Sequence, residues 1–310
     1  MKIVFMGTPD FSVGIIKALH ESKHEVVLAV TQPDRPKGRS GKLMPCPVKE
    51  YATDAGIEVF QCEKIKAAEA VEKLRGYHAD LFVVAAFGQI LSKEILEMPR
   101  FGCINVHASL LPKYRGASPI QQAILDGEKS TGVTIMQMNE GLDTGDILIS
   151  REVAIDEKET GGSLFEKLAK TGSSLVTVAV DGIEKGELTP RKQDDSMASY
   201  AGIIKKEKGR IDFSKNAAEI ERLIRAFDPW PSAQTSFSGK TLKLWRADVK
   251  EENDGSVPGT VTDITKDSFT VSCGSGQLVV RELQLEGKKR MSTKDFLLGN
   301  DLNKGDRLGE

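Results

Sequence analysis

An asparagine and a histidine stand two residues apart where an apolar run ends. Residues 102–106 read GCINV, and His107 follows them directly. Side chains two apart on a β-strand point to the same face of the sheet, so Asn105 and His107 would be presented together. In open α/β folds, ligands bind at the edge where parallel strands have their carboxyl ends. The pair therefore predicts a functional site at the end of this strand.

A carboxylate could complete the set. Residues 139–148, NEGLDTGDIL, place two glycines and two aspartates in a tight loop between strand-like runs. Asp143 could reach the same pocket, and Asp146 is its competitor. An amide, an imidazole and a carboxylate suit attack by an amine on a carbonyl carbon. The amide would stabilise the oxyanion, the imidazole would handle the proton, and the carboxylate would orient the imidazole and favour its protonated form.

Each of these residues also has an ordinary structural explanation. A histidine at a strand end is most often simply hydrogen-bonded, and Asn or Asp in such loops can be plain turn residues. Metal binding is not indicated, because the other histidines have no Cys or His at ligand spacing; they are His20, His24 and His78. We do not expect Cys103 to act as a nucleophile.

The elements that must position these groups alternate between strand-like and helix-like segments. Residues 2–6 predict a buried strand, with Thr8 as N-cap and Pro9 as first residue of the next helix. Residues 79–86, ADLFVVAA, predict a central parallel strand. The pattern indicates an α/β fold with a Rossmann-like, doubly wound parallel sheet. The first turn, GTPD, lacks GxGxxG and so does not indicate a dinucleotide cofactor.

The pattern changes in the last hundred residues. Residues 217–227 form one amphipathic helical segment, and five short strand-like runs separated by turn residues follow it. They are residues 233–237, 240–247, 259–264, 268–272 and 277–285. Short strands at this spacing predict a smaller C-terminal β-barrel that is OB-like. We therefore expect a catalytic domain over residues 1–189, a linker over 190–208 and an OB-like domain over 209–310.

The formal net charge of the 310 residues is −2, which excludes a globally basic nucleic-acid binder and leaves only local patches. Two basic segments stand out. The first, residues 32–49, is so rich in proline and glycine that it argues against a regular element; its composition fits either a solvated loop or a mobile arm that meets phosphates. The second stands at the entrance of the C-terminal domain. The basic residues of interest are Arg35, Lys37, Arg39, Lys42, Lys205, Lys206, Lys208 and Arg210.

The cysteines and the first residues bear on the compartment. Four cysteines form no CxxC pair, and the start MKIVFMGTPDF has only a five-residue apolar run. Reduced thiols are typical of cytoplasmic proteins, and neither a signal peptide nor a membrane span is indicated. We expect a cytoplasmic protein that does not associate with membranes.

Together these segments resemble the folate-dependent formyltransferases. The motifs are NVH at 105–107, SLLP at 109–112 and GLDTGD at 141–146. Further segments are similar to the branch that formylates methionine on initiator tRNA, and they cover nearly the whole chain. They are MGTPDF at 6–11, the basic segment at 31–49, SLLPKYRGASPIQQAI at 109–124 and RAFDPWPSA at 225–233.

The resemblance implies 10-formyltetrahydrofolate as the formyl donor, with no metal, and the α-amino group of methionyl initiator tRNA as the acceptor. It implies that Asn105, His107 and Asp143 are catalytic. The folate contacts that it implies are Phe87, Gly88, Gln89, Ile90, Leu91, Ser109, Leu110, Leu111 and Pro112. It further implies that the first basic segment binds tRNA, and we expect the cluster of Lys205, Lys206, Lys208 and Arg210 to add a second local contact to the tRNA. The segment at 34–48 would enter against the acceptor stem, with Arg39 as its best contact, and would order on binding.

Three other functions fit parts of the sequence pattern. A formyltransferase for amino sugar nucleotides shares the trio and a similar C-terminal domain, but the basic segment and RAFDPWP favour the tRNA branch. A glycinamide-ribonucleotide formyltransferase would end near residue 200. A non-catalytic RNA-binding protein would not need the intact trio. Nothing in the sequence demands more than a monomer.

Overall fold

The computed structural model describes residues 1–37 and 41–309. Contacts between residues divide the chain into two compact units, each built from three stretches. The first comprises Met1–Pro119, Ser130–Ala154 and Phe165–Ala201. The second comprises Ile120–Lys129, Ile155–Leu164 and Gly202–Glu310. The predicted catalytic domain ends at residue 189. Two segments inside that range, 120–129 and 155–164, group with the second unit, so the units are interleaved along the sequence.

The first unit contains a seven-stranded sheet with the order β10-β9-β7-β6-β1-β2-β5. The strands of this unit are β1 (Lys2–Gly7), β2 (Glu25–Thr31), β3 (Arg35–Lys37), β4 (Lys42–Met44), β5 (Val59–Gln61), β6 (Leu81–Ala85), β7 (Cys103–His107), β8 (Arg115–Gly116), β9 (Ser130–Gln137), β10 (Ile147–Ala154) and β11 (Tyr200–Ala201). Five strands run parallel, and β9 and β10 continue the sheet antiparallel at one edge. The predicted parallel sheet is confirmed, and the strand-like runs on either side of the loop at 139–148 pair as β9 and β10.

Helices cover the apolar strands. Those of the chain are α1 (Asp10–His20), α2 (Pro47–Asp54), α3 (Ala68–Arg75), α4 (Lys93–Leu96), α5 (Pro119–Leu125), α6 (Gly161–Lys185), α7 (Ala217–Ala226) and α8 (Thr293–Leu297). All five residues of β6 are buried, as the continuous run LFVVA predicts for a strand packed on both faces. Because β6 and β7 are parallel neighbours, the loops after Ala85 and His107 leave the same edge of the sheet.

The start of α1 differs from the prediction. The helix begins at Asp10 with Pro9 as its N-cap residue, and no side chain caps it. Thr8 Oγ1 instead accepts a hydrogen bond from the backbone N–H of Gln32, 3.3 Å away. The hydroxyl is used to join two loops at the sheet edge, so Thr8 is not available as a cap.

The first basic segment contains regular structure, contrary to prediction. Strands β3 and β4 pair antiparallel, with Pro36 opposite Leu43. A proline lacks an N–H donor but is tolerated in a strand with a free edge, and both strands of an isolated pair have one. The prediction that this segment has no regular element was therefore wrong for Arg35–Lys37 and Lys42–Met44. Residues 38–40 lie outside the described residues.

The second unit contains a six-stranded antiparallel sheet with the order β12-β13-β16-β15-β14, to which β17 is added beside β16. Its strands are β12 (Ala233–Phe237), β13 (Lys240–Lys250), β14 (Val261–Ile264), β15 (Phe269–Ser272), β16 (Gln277–Leu285) and β17 (Met291–Ser292). The five predicted strands are all present, and α7 packs Ile220 and Ile224 into the core that their buried faces form. The mixed α/β class is confirmed.

The segment predicted as a linker makes backbone and side-chain hydrogen bonds in the first unit. Arg191 exchanges both backbone hydrogen bonds with Ile147, and β11 pairs with β8. A stretch that is poor in apolar periodicity is thus held by hydrogen bonds to the loops around the predicted site. Among the described residues, no helix combines the length and the apolar character that crossing a bilayer requires.

Candidate active site

His107 is the last residue of β7 and is held by oxygen atoms on both sides of its ring. Its side chain is only 6% exposed. Nε2 lies 2.9 Å from the carbonyl oxygen of Tyr114, and because a carbonyl only accepts, Nε2–H is the donor. Nδ1 lies 3.6 Å from Oδ2 of Asp143. The imidazole is thus oriented by a fixed acceptor and faces a carboxylate with its other nitrogen.

Asp143 is positioned by the backbone around it. Its φ of +53° lies in the left-handed region, which aspartate tolerates better than most residues. Oδ2 accepts a hydrogen bond of 2.8 Å from the backbone N–H of Gly116. A Cβ at Gly145 would lie 1.6 Å from the carbonyl oxygen of Gln137, so this position of the GLDTGD loop must be glycine. Asp143, and not the competing Asp146, is the carboxylate that faces His107.

Asn105 lies on the same strand, two residues before His107, and is partly exposed. Its backbone is fixed between Val84 of β6 and Met136 of β9. Its carboxamide has no hydrogen-bond partner among the described residues, so its N–H groups are available to a ligand. The strand thus carries the predicted amide and imidazole, and the GLDTGD loop brings the carboxylate to the imidazole.

A network that the sequence analysis missed supports this arrangement. Gln193 Nε2 donates to the carbonyl oxygens of Asp143 and Gly145, at 2.8 and 2.7 Å. Its Oε1 accepts from the buried guanidinium of Arg115, at 3.1 and 2.8 Å. Arg115 also pairs with Asp195 at 2.7 Å. These contacts join residues about 50 to 80 positions apart, and no periodicity in the sequence marks them.

The SLLP segment is held by a buried threonine. Thr134 Oγ1 donates to the carbonyl oxygen of Ser109 at 2.7 Å and accepts from the N–H of Leu111 at 3.1 Å. Ser109 Oγ donates to the carbonyl oxygen of Lys113 at 2.6 Å. Ser109 is fully buried and Leu111 is 7% exposed, whereas Leu110 and Pro112 are partly exposed. The hydroxyl of Ser109 is therefore used within the loop.

The loop after β6 borders an open pocket of about 390 Å³. Gly88, Gln89 and Ile90 line it, and Ile90 is 69% exposed. Phe87 and Leu91 are buried in the core and anchor the two ends of the loop. Lys64 and Lys66, which the sequence analysis did not single out, line the pocket as well.

Gln89 braces this pocket from within the chain. Its Oε1 accepts from the N–H of Ile65 at 2.8 Å, and its Nε2 donates to the carbonyl oxygen of Cys62 at 3.1 Å. Gly88 has a φ of +79°, and a Cβ there would lie 2.5 Å from Nε2 of Gln32. That same Nε2 donates to the carbonyl oxygen of Phe87 at 2.9 Å. The loop is held in place before any ligand binds.

The predicted tRNA contacts lie in both units. In the first unit Arg35 donates to Gln32 Oε1 at 3.2 Å, and the backbones of Lys37 and Lys42 lie opposite each other in β3 and β4. Arg39 lies outside the described residues. Hydrogen bonds from Lys49 and then Gln61 lower the pKa of Asp34, which fixes the base of this segment. In the second unit the side chains are exposed and form no ion pair among the described residues; they are Lys205, Lys206, Lys208 and Arg210.

Burial removes Cys103, the cysteine nearest the trio in sequence, from nucleophilic chemistry. All four thiols are free. Burial raises the pKa of Cys103 to about 12, so at neutral pH its thiolate is not populated, and its Sγ contacts the carbonyl oxygens of Ile95 and Leu96. The expectation that Cys103 is not the nucleophile agrees with this environment.

One group of potential metal ligands lies within the described ranges, and a lysine already occupies it. His24, Asp181 and Glu184 bring their ligand atoms within 4.8 Å of one another. Lys23 Nζ lies 2.7 Å from Glu184 and 3.2 Å from Asp181. Hydrogen bonds from His24 and then Lys23 lower the pKa of Asp181. The ammonium group neutralises the carboxylates in the place that a metal ion would take.

Comparison with known proteins matches both parts of the chain to one family. The formyl transferase model matches residues 1–180, and the model of the formyl transferase C-terminal domain matches residues 203–301. Methionyl-tRNA formyltransferase from Lachnospira eligens is 54% identical, with both chains covered completely. The enzyme of that name from Agathobacter rectalis is 52% identical, over 98% of each chain.

The chain belongs to the methionyl-tRNA formyltransferase family. The resemblance seen in the motifs is thereby confirmed, as is the prediction that the chain is a formyl-transferring enzyme.

Solved structures show the same fold at low identity. HypX from Aquifex aeolicus covers 97% of this chain with a TM-score of 0.61 and 18% identity, and this chain spans about half (49%) of its length. WlaRD, a sugar 3N-formyltransferase, covers 93% with a TM-score of 0.66 and 22% identity, and 99% of it is matched. Methionyl-tRNA formyltransferase from Clostridium thermocellum covers 92% with a TM-score of 0.56 and 18% identity, and 98% of it is matched.

Proposed function

We propose that this formyltransferase moves the formyl group of 10-formyltetrahydrofolate to the α-amino group of methionyl initiator tRNA. The observation that carries the chemistry is the arrangement of Asn105, His107 and Asp143 at one strand end, with His107 Nδ1 facing Asp143 at 3.6 Å. The relatives that are 54% and 52% identical over the whole chain support the acceptor.

The trio suits the steps of this reaction. The amine nitrogen attacks the formyl carbon, and the carbonyl oxygen becomes an oxyanion. The unpartnered carboxamide of Asn105 is the donor that this oxyanion needs. The bond from the formyl carbon to N10 then breaks, the proton leaves the new amide nitrogen, and N10 gains a proton. His107, held between Tyr114 and Asp143, is the group that compensates and moves this proton.

The nucleophile itself needs little activation. A free α-amino group has a pKa near 7.7–8.0, so a useful fraction of it is neutral close to physiological pH. The more demanding step is the charge separation in the tetrahedral intermediate. Fixed donors and a fixed carboxylate lower its cost because they do not have to reorient during the reaction.

We assign the folate site to the pocket after β6 and the adjoining SLLP segment. Gly88, Gln89 and Ile90 line the pocket, with Phe87 and Leu91 anchoring their loop. Ser109, Leu110, Leu111 and Pro112 complete the site from the neighbouring strand end. Since β6 and β7 are adjacent and parallel, both segments leave the edge that carries Asn105 and His107.

We propose that the catalytic domain ends at residue 189 and that the C-terminal domain begins at residue 209. We assign tRNA binding to the two basic segments. The segment at 34–48, with Arg35, Lys37, Arg39 and Lys42, would meet the acceptor stem. The exposed run from Lys205 to Arg210 would meet the phosphate backbone with the second unit. We further propose that the enzyme is a monomer. We also propose that it is cytoplasmic, because free cysteines are typical of that compartment.

The test is transfer of radiolabelled formyl from 10-formyltetrahydrofolate to charged initiator tRNA, with a dTDP-linked amino sugar as parallel acceptor. Transfer to the tRNA alone, abolished in His107→Ala, is the expected result. Transfer to the sugar alone would keep the chemistry but refute the acceptor. The sugar arm is included because a sugar formyltransferase shares the fold with a TM-score of 0.66.

A further inference from the structure

Trp230 exposes its indole at the tip of a loop in the second unit. Its side chain is 56% exposed, whereas Pro231, Ser232 and Ala233, which follow it directly, are buried. Trp245 of the same unit is only 9% exposed. Exposing so large an apolar surface is unfavourable in water, and the trio and the folate pocket make no use of it.

The loop that carries Trp230 is fixed by backbone hydrogen bonds. The N–H of Ser232 donates to the carbonyl oxygen of Phe227 at 2.9 Å, which closes the loop. The N–H of Gly162 donates to the carbonyl oxygen of Asp228 at 2.8 Å, which ties the loop to the first turn of α6. The indole therefore projects from a well-supported backbone and is presented to solvent in a defined place.

The second basic segment packs directly against this loop. Gly209, between Lys208 and Arg210, lies so close that an added Cβ would stand 2.2 Å from the carbonyl oxygen of Ser232. The next residue, Ile211, donates its N–H to the carbonyl oxygen of Gln234 at 2.8 Å. The exposed cations of residues 205–210 and the exposed indole thus stem from adjacent backbone segments.

A groove lies beside the second basic segment. Its volume is about 510 Å³, and its lining includes the cations of Arg210 and Arg307 and the carboxylate of Asp212. Only Glu207 opposes the four cations within residues 205–210. Proteins bind single-stranded nucleic acid by combining two features. Cations contact the phosphate backbone, and aromatic side chains beside them stack on the bases.

We propose that Trp230 stacks on an unpaired nucleotide of the tRNA while residues 205–210 contact the neighbouring phosphates. This inference rests on the proposed function and adds to it an aromatic stacking contact with a base. Because the cations of residues 205–210 complement the negative phosphates of RNA, RNA is the partner that fits this surface. Stacking on an aromatic ring is sequence-tolerant, so Trp230 contributes affinity and position, not recognition of a particular base.

The first experiment compares Trp230→Ala, Trp230→Phe and Leu298→Ala in the full-length enzyme. Leu298 is 81% exposed in the same unit and serves as the matched control for loss of an exposed apolar side chain. Trp230→Ala should weaken binding of initiator tRNA about 5- to 100-fold and raise its KM, with the KM for the formyl donor unchanged. Trp230→Phe should keep most of the affinity, and Leu298→Ala should behave like the unaltered chain.

The second experiment uses the fluorescence of the chain's two tryptophans. Binding of initiator tRNA, or of a short single-stranded RNA, should quench the emission, and Trp230→Phe should abolish this quenching while Trp245 still reports folding. Absence of quenching, or equal binding by Trp230→Ala and Leu298→Ala, overturns the inference. If tRNA is formylated normally by every variant, only the stacking contact is wrong. If neither the unaltered enzyme nor any variant formylates tRNA, the proposed function itself is wrong.

Discussion

Asn105 differs from the other polar residues of the site because its side chain has no partner among the described residues, whereas His107 and Asp143 are both fixed by neighbours. The side chain is partly exposed, so its N–H groups are open to a ligand. We expect Asn105→Ala to lower kcat about 10²- to 10³-fold with little change in either KM, because the amide acts on the oxyanion and not on the bound substrates. Steady-state kinetics with varied donor and acceptor measure this split.

A rise in KM without loss of kcat would assign Asn105 to ground-state binding instead. Thr134→Val provides the control at this edge of the sheet, because it removes a buried hydroxyl that supports the SLLP loop and keeps the backbone pairing of residue 134 with His107. Its effect should fall mainly on the KM for folate.

The cysteines give a prediction that depends on burial alone. Burial raises the pKa of Cys103 and Cys273 to about 12, so their thiols stay protonated from pH 7 to pH 9. Cys46 is partly exposed. Iodoacetamide at pH 8 should therefore label Cys46 first and leave Cys103 and Cys273 unmodified until the chain unfolds. Peptide mass mapping after limited labelling checks the order, and early modification of Cys103 would contradict the burial that the structure shows.

At the scale of elements, the GLDTGD loop and the short strand β8 must meet for Asp143 to be held. Gly116 supplies the N–H that binds Asp143. Its φ is +114°, and an added Cβ would lie only 2.7 Å from the carbonyl oxygen of Ala201, so there is no room for a side chain. Gly116→Ala should therefore displace this N–H and lower kcat by at least tenfold. Gly186→Ala is the matched control, because Gly186 also has a positive φ, +70°, but no atom lies near an added Cβ.

If the two glycine variants lose similar activity at similar melting temperature, backbone strain and not the contact to Asp143 explains the loss. Circular dichroism and thermal melts of both variants separate these outcomes from simple unfolding.

The elements themselves were largely predictable from sequence, because their apolar periodicity is strong. The run ADLFVVAA predicted β6, and the turn residues of the C-terminal part predicted β12 to β16. Asn105 and His107 were predictable because a strand period of two puts them on one face. The pair β3–β4 was not predictable, since hydrogen bonds between two short segments leave no apolar pattern.

The hydrogen bonds that support the site could not be predicted from the sequence either. Gln193 holds both the Asp143 loop and Arg115, although it lies in a polar stretch that was predicted as a linker. Such contacts depend on where the chain returns in space and not on local residue preference. The same holds for the interleaving of the two units, which the segments 120–129 and 155–164 produce.

At the scale of the whole molecule, the net charge of −2 must be reconciled with a polyanionic substrate. Overall attraction is absent, so tRNA binding has to come from local cations whose counterions are released on contact. The four exposed cations between residues 205 and 210 are the set in the second unit that we assign to this role.

Replacing these four cations with glutamine gives the corresponding prediction. Each lost phosphate contact reduces the slope of log K against log salt by about 0.7 to 0.9, so the loss of four contacts should reduce that slope by about 2.8 to 3.6. The control replaces four other exposed lysines of the same unit, Lys266, Lys288, Lys289 and Lys294, which also brings the net charge to −6 (−2 − 4). Filter binding of initiator tRNA between 50 and about 200 mM salt gives both slopes. Because the two variants carry the same total charge, a selective loss in the first identifies a local surface, and an equal loss in both would show that only total charge matters.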